Sequence, residues 1–159
     1  MEKWRALLRD KSVVKKILFV AYTIFIVWYT LLKREPQAYR IFRPELVWAI
    51  RTWIAGGYNG KAESILYFMN ILFFIPFGLL FPWEEKNGKL SWKSVLIAAA
   101  LTSTLIELSQ YIFALGECEF DDIISNTLGA MIGYGIINRR KIITHALDRA
   151  REEKGGENK

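Results

Sequence analysis

The stretch that decides the fold covers residues 106–133 and reads IELSQYIFALGECEFDDIISNTLGAMIG. An apolar segment with Glu107 and Gln110 breaks at an acidic turn, and a second apolar segment opens with Asp122 and Asn126. A carboxylate inside a membrane-length apolar segment costs on the order of 3 kcal/mol to insert, so it marks a functional site by default. The alternative for Glu107 is a packing hydrogen bond, although neutral glutamine or serine would make one without the cost of ionisation.

The composition indicates a membrane protein with a single domain over residues 1–159. Hydrophobic residues make up 52% of the chain and aromatic residues 14%, which argues against a soluble domain. The net charge of +6 does not indicate nucleic-acid binding, because the basic residues lie at the ends of the apolar segments and act as topology signals. The single Cys118 and the single His145 support neither a disulfide framework nor a zinc site.

Four apolar segments predict transmembrane helices, and therefore an all-α membrane protein built as a four-helix bundle. They cover residues 17–32, 64–83, 94–115 and 123–138. The first is preceded by a basic block and followed by no small-residue cleavage site, so it is interpreted as a retained helix and not a signal peptide. Pro76 predicts a kink in the second helix.

Two segments outside the four helices carry predictions of their own. Residues 33–63 include a short apolar helix around Trp48, which cannot span a bilayer and is interpreted as interfacial or re-entrant. The basic tail, residues 139–159, has an apolar stripe at helical spacing and is predicted to lie along the cytoplasmic membrane surface. Within the fourth helix, Gly129 and Gly133 predict a close approach of a neighbouring helix.

The lysines and arginines predict that both termini are cytoplasmic, although the Arg-rich first connection then lies outside, against the rule. In this orientation the second and fourth helices begin at the outer face, and the third helix ends there. Polar residues of three helices then reach a similar depth below an acidic turn. These residues are Asn70, Glu107, Gln110 and Asn126, with Asp121 and Asp122 above them. They predict an outward-facing polar pocket, roofed by the short helix around Trp48.

Three motifs follow one another along these helices: NILFFIPFG from Asn70, ELSQ from Glu107 and DIISNTLGAMIG from Asp122. Together they resemble the VanZ-like family of small bacterial membrane proteins, named for a member associated with teicoplanin resistance, over about residues 66–134. The resemblance implies reduced glycopeptide susceptibility as a phenotype. It also implies shared polar positions at Asn70, Glu107, Gln110, Asp122 and Asn126. Many relatives have an arginine shortly after the E-x-x-Q helix, whereas this chain has Gly116 and Glu117 there.

Three classes of function stay open. The first is a non-enzymatic envelope protein whose pocket binds a glycopeptide antibiotic, a lipid-linked wall precursor or a partner. The candidate ligand-binding residues are Asn70, Gln110, Asp121 and Asn126. The second is a membrane-embedded enzyme acting on an envelope lipid or glycan, in which Glu107 and Asp122 divide the acid and base roles. The third is a small ion or proton carrier, for which carboxylates at bilayer depth are also expected.

No cofactor is expected, because the sequence shows no phosphate-binding loop and no transition-metal ligand cluster. A divalent cation among Glu119, Asp121 and Asp122 is an open alternative, since magnesium and calcium take oxygen ligands. Membrane lipids are the expected partners and nucleic acids are not. The sequence leaves the oligomeric state undetermined.

Overall fold

The computed structural model describes residues 10–56, 60–82 and 91–156. Helices dominate these residues, and two three-residue strands join them. The elements in chain order are α1 (Lys11–Val27), β1 (Ile41–Arg43), α2 (Trp48–Ile54), α3 (Gly60–Leu80), α4 (Trp92–Phe113), β2 (Glu117–Glu119) and α5 (Phe120–Gly156). A π-helical turn, Trp28–Leu32, continues α1. Each of the four predicted long helices, and the predicted short one, therefore corresponds to a helix in the structure.

Two of these helical segments are long and apolar enough to cross a membrane. They are Ser12–Leu32 and Trp92–Phe113, whereas Ser64–Leu80 within α3 is a shorter apolar helix. Pro76 lies inside α3 without ending it. The structure thus confirms a mostly helical chain with two candidate spans, and four spans stay a prediction.

The prediction of an all-α chain is wrong in one place. β1 pairs in parallel with β2, so that Ile41 lies opposite Glu117 and Arg43 opposite Glu119. Strands of three residues are too short for a period-two pattern to identify them, and the partner strand lies in a different connection. The pairing ties the segment after α1 to the acidic turn between α4 and α5.

α5 is one continuous helix of 37 residues, so no helix end marks the tail predicted to begin at residue 139. At about 1.5 Å per residue it measures roughly 55 Å, well beyond the hydrocarbon thickness of about 30 Å. The apolar stripe of the tail is exposed at Ile142, Ile143 and Leu147. Its placement on the cytoplasmic surface stays a prediction, and residues 157–159 lie outside the described part.

Aromatic side chains hold α1 against α3. The Phe19 ring packs edge-on against Phe77, with centroids 4.9 Å apart, and against Phe81 at 5.6 Å. Edge-to-face pairs of this kind contribute beyond the area they bury. The Tyr22 hydroxyl also donates a hydrogen bond to the backbone carbonyl of Phe73 at 2.6 Å. These contacts fix the height of α1 relative to α3.

The backbones of α3 and α5 come closer together than any side chain larger than glycine would allow. A Cβ atom built on Gly129 would lie 2.1 Å from the carbonyl oxygen of Ile71, and one built on Gly133 would lie 2.1 Å from that of Ile75. The residue numbers of the contacting pairs increase together, from 71 and 129 to 75 and 133, so α3 and α5 run parallel. The glycine pair therefore makes the close helix contact that its spacing predicts.

We expect Gly133→Ala to destabilise the protein by about 1–3 kcal/mol, because the added methyl group would overlap backbone that cannot rotate away. Gly135→Ala is the matched control, since nothing lies within 4 Å of its added Cβ atom. The control should be neutral, or stabilising by up to about 1 kcal/mol through its better helix propensity. Thermal unfolding of the detergent-purified chain measures both variants. Equal stability of the two would contradict the close contact.

Candidate functional site

A cavity of about 200 Å³ opens beside the first turn of α5, between α3 and the segment that follows α1. Its walls carry four carboxylates, one guanidinium group and two aromatic rings. The lining residues are Arg34, Gln37, Trp48, Leu66, Tyr67, Asn70, Glu117, Glu119, Asp121 and Asp122. Three of the six candidate catalytic or ligand-binding residues, Asn70, Asp121 and Asp122, are among them, and so is Glu119. Trp48, which begins α2 and belongs to the segment predicted as the roof, also lines the cavity.

Asn70 and Asp122 join α3 to α5 at the floor of this cavity. The Asn70 amide donates a hydrogen bond of 2.7 Å to the Asp122 carboxylate. One helical turn further along α5, the Asn126 amide donates to the Ser103 hydroxyl of α4 at 2.9 Å. The Ser103 hydroxyl donates in turn to the Asp122 backbone carbonyl at 3.4 Å. The structure thus brings polar residues of three helices together at one depth.

Glu107 and Gln110 are buried, at 2% exposure each, but neither lines the cavity. The Glu107 carboxylate accepts a hydrogen bond of 3.0 Å from the backbone N–H of Glu119 in β2. Gln110 donates through its amide to the carbonyl of Thr30, at the end of α1, at 3.2 Å. In this geometry both side chains hold neighbouring backbone in place. Glu107 makes a hydrogen bond of the packing kind, and its functional role stays a prediction.

Asp121 also binds backbone. Its carboxylate accepts hydrogen bonds from the N–H groups of Val47 and Trp48, the latter at 2.9 Å. These N–H groups belong to the start of α2, where a carboxylate compensates both the free donors and the helix dipole. Val47 adopts φ 56°, the left-handed region, which is strained for a β-branched residue. Asp121 thus caps a helix 74 residues earlier in the chain, a role that the sequence analysis missed.

A second set of contacts surrounds the paired strands. Arg43 forms an ion pair with Glu117, and its guanidinium group lies 4.8 Å from the centre of the Trp48 ring. The Trp48 indole N–H donates to the Glu119 carboxylate at 3.0 Å. The opposite charges of Arg43 on β1 and Glu117 on β2 are the sequence signal for this strand pairing. By sequence alone, Arg43 counts as a topology signal.

Arg34 lines the cavity, although it is not among the site residues predicted from the sequence. Its guanidinium group lies over Gly116, where an added Cβ atom would come within 2.3 Å of the Arg34 Nη1 atom. Gly116 is therefore the residue that leaves space for this side chain. The signal that could have found Arg34 is the excess of arginine in the first connection, which conflicts with the predicted topology.

The remaining chemistry-bearing side chain near the cavity is Cys118, which is buried in β2. Burial, followed by the nearby carboxylates of Glu107, Asp122 and Glu119, raises the pKa of its thiol, so the thiolate needed for reactivity is disfavoured. Within the described residues, no group of three or more histidine, cysteine, aspartate or glutamate side chains is arranged to hold a metal ion. The divalent cation among Glu119, Asp121 and Asp122 stays an untested alternative.

Comparison with known proteins gives one family and one curated relative. The profile of the VanZ/LLP1 family matches residues 19–143, a range that includes every cavity-lining residue. Protein VanZ of Enterococcus faecium is 27% identical over 132 residues, which cover 80% of this chain and 78% of the relative. No solved structure matches the chain.

Proposed function

Because the chain belongs to the VanZ/LLP1 family, we propose that it acts at the bacterial cell envelope and lowers susceptibility to teicoplanin by binding a ligand in the cavity beside α5. The observation that carries this proposal is the family match over residues 19–143. Membership of this family suggests a function related to teicoplanin resistance. The cavity supports a binding function, because it combines polar side chains with the rings of Trp48 and Tyr67.

The proposed topology has four spans, with both termini in the cytoplasm and the acidic turn outside. The spans are α1 with its π-helical turn, α3, α4 and the first half of α5. Large apolar side chains are exposed on all four, including Ile24, Leu72, Leu105 and Leu128. So many exposed apolar side chains are unfavourable in water but suit contact with lipid. This orientation places the cavity at the outer face of the membrane.

Cysteine labelling in intact cells tests this topology. In a Cys118→Ser background, Tyr39→Cys lies in the exposed connection after α1 and should react with a thiol reagent that cannot cross the membrane. Lys154→Cys, near the end of α5, should react only after the cells are permeabilised. The reverse pattern would place both termini outside.

The proposed ligand is a glycopeptide antibiotic or a lipid-linked wall precursor. The cavity lies where such a molecule would arrive, next to the membrane and on the outer side in the proposed orientation. Asn70 and Asp122 would face the ligand directly. Asp121 would hold Trp48 over the ligand, and the Asn126–Ser103 hydrogen bond would support the floor.

The enzyme and carrier alternatives gain no support from the geometry. A substrate in the cavity would not reach Glu107, because that carboxylate lies behind the lining and binds the backbone of Glu119. A general acid or base has to come within hydrogen-bond reach of its substrate. Of the two carboxylates considered for acid and base roles, Asp122 lines the cavity and Glu107 does not.

Teicoplanin susceptibility of a host expressing each variant separates these accounts. The intact chain should raise the inhibitory concentration by at least one doubling dilution over the empty vector. Glu107→Gln should keep that effect, because its amide oxygen can still accept the Glu119 N–H. Asp122→Asn should weaken it, because it changes the charge of the cavity while an oxygen acceptor for Asn70 is kept.

Accumulation of each variant in the membrane is the control for this experiment. Loss of the phenotype in Glu107→Gln, at normal accumulation, would contradict the binding account and favour chemistry at that carboxylate. An intact phenotype in Asp122→Asn would show that the ligand does not contact this cavity wall.

A further inference from the structure

The hydrogen-bonding capacity of the cavity wall is unevenly used. Each carboxylate that lines the cavity already accepts from a protein donor. The pairs are Glu117 with Arg43, Glu119 with the Trp48 indole, Asp121 with the N–H groups of Val47 and Trp48, and Asp122 with the Asn70 amide. Each acidic side chain therefore already has at least one partner within the fold.

The Arg34 guanidinium group differs from these carboxylates. Within the described part of the chain it makes no hydrogen bond and no ion pair, although its charge acts on Glu107 and Asp122. A guanidinium group has five N–H donors in a planar fork that fits a phosphate or carboxylate. The cavity thus offers an unused donor for an acceptor that the described residues do not supply.

The position of Arg34 is fixed even though its donors are unused. Its backbone N–H donates to the carbonyl of Leu31 at 3.3 Å, and the N–H of Gln37 donates to the carbonyl of Ala114 at 2.6 Å. The second bond fastens the segment after α1 to the end of α4, and the guanidinium group lies in the space over Gly116. Because the backbone at Arg34 is already held, ligand binding has to order only the side chain.

We propose that Arg34 is a ligand-binding residue of the cavity and that its guanidinium group binds the phosphate or carboxylate of a zwitterionic ligand. Four carboxylates face one guanidinium group across the lining, so a purely anionic ligand is repelled. A ligand that also carries a primary ammonium group avoids this repulsion, because its cation faces Glu119 and Asp122. The Trp48 and Tyr67 rings on the same walls add a surface that favours a cation.

This ligand chemistry has two sources at the cell envelope, and the proposal rests on the proposed function only in placing the cavity there. One source is the headgroup of phosphatidylethanolamine, with a phosphate and an ammonium group. The other is a peptide-like molecule with a carboxylate and an amine, such as a glycopeptide. Binding to the purified full-length chain distinguishes them. It also separates this proposal from the proposed function, which is tested by susceptibility in cells.

The experiment measures binding to the detergent-purified chain by native mass spectrometry. The probes are short-chain phosphatidylethanolamine, short-chain phosphatidylglycerol and teicoplanin. We expect phosphatidylethanolamine or teicoplanin to bind, and phosphatidylglycerol, which has no ammonium group, to bind more weakly. Arg34→Gln should weaken binding by about tenfold or more, as expected for loss of a charge-assisted hydrogen bond.

Arg40→Gln is the matched control, because Arg40 lies in the same segment but donates to the carbonyl of Ile112 and does not line the cavity. It should bind like the unaltered chain. Gly116→Ala is a second test, since it keeps Arg34 but displaces its guanidinium group, and it should also weaken binding. Equal binding of phosphatidylglycerol, unchanged binding in Arg34→Gln, an equal loss in Arg40→Gln, or no binding of any probe would overturn the proposal.

Discussion

Gly129 and Gly133 let the backbone of α5 approach α3 so closely that a methyl group on either would overlap the carbonyl oxygen of Ile71 or Ile75. Gly78 makes the reciprocal contact from α3, because a Cβ atom built there would lie 1.9 Å from the carbonyl oxygen of Ala130. Only glycine tolerates this geometry. The contact fixes both the separation and the register of two parallel helices.

The cavity depends on that register. Asp122 lies seven residues before Gly129 on the same face of α5. The packing of α5 against α3 brings it to Asn70. The neighbouring Asp121 is rotated by about 100° around the helix, as the period of 3.6 residues requires. It therefore reaches α2 and holds Trp48 over the cavity. One close helix contact thus positions the floor directly and the roof through a single carboxylate.

The sequence predicted the parts of this arrangement that repeat at helical spacing. The five helices, the glycine contact and the convergence of Asn70, Asp122 and Asn126 all follow from such patterns. The pairing of β1 with β2 and the cap that Asp121 supplies are contacts between distant segments, which local periodicity does not encode. Val47 in a left-handed conformation before α2 has no capping side chain of its own, so nothing local predicted where that helix begins. The continuous α5 was missed because a change from apolar to charged residues was interpreted as the end of a helix.

The positive charge of the connection after α1 has a local explanation. In the proposed topology its arginines conflict with the positive-inside rule if they are counted only as topology signals. The structure places Arg43 against Glu117, and Arg34 over Gly116 at the edge of an acidic cavity. Glu117, the partner of Arg43, and Gly116, which leaves space for Arg34, both belong to the turn between α4 and α5. Counting basic residues alone misses this complementarity, because the two segments are far apart in sequence.

In the proposed topology, the cavity beside the first turn of α5 opens to the outside of the cell. Asn70 and Met69 are adjacent on α3 and so lie within about 1.5 Å of the same depth. Asn70 lines the cavity, whereas Met69 is 54% exposed and does not line it. Asn70→Cys and Met69→Cys, each in a Cys118→Ser background, can be treated in intact cells with a thiol reagent that cannot cross the membrane. The account predicts that position 70 reacts and position 69, facing lipid, does not. Reaction at position 69 alone, or at position 70 only after permeabilisation, would contradict it.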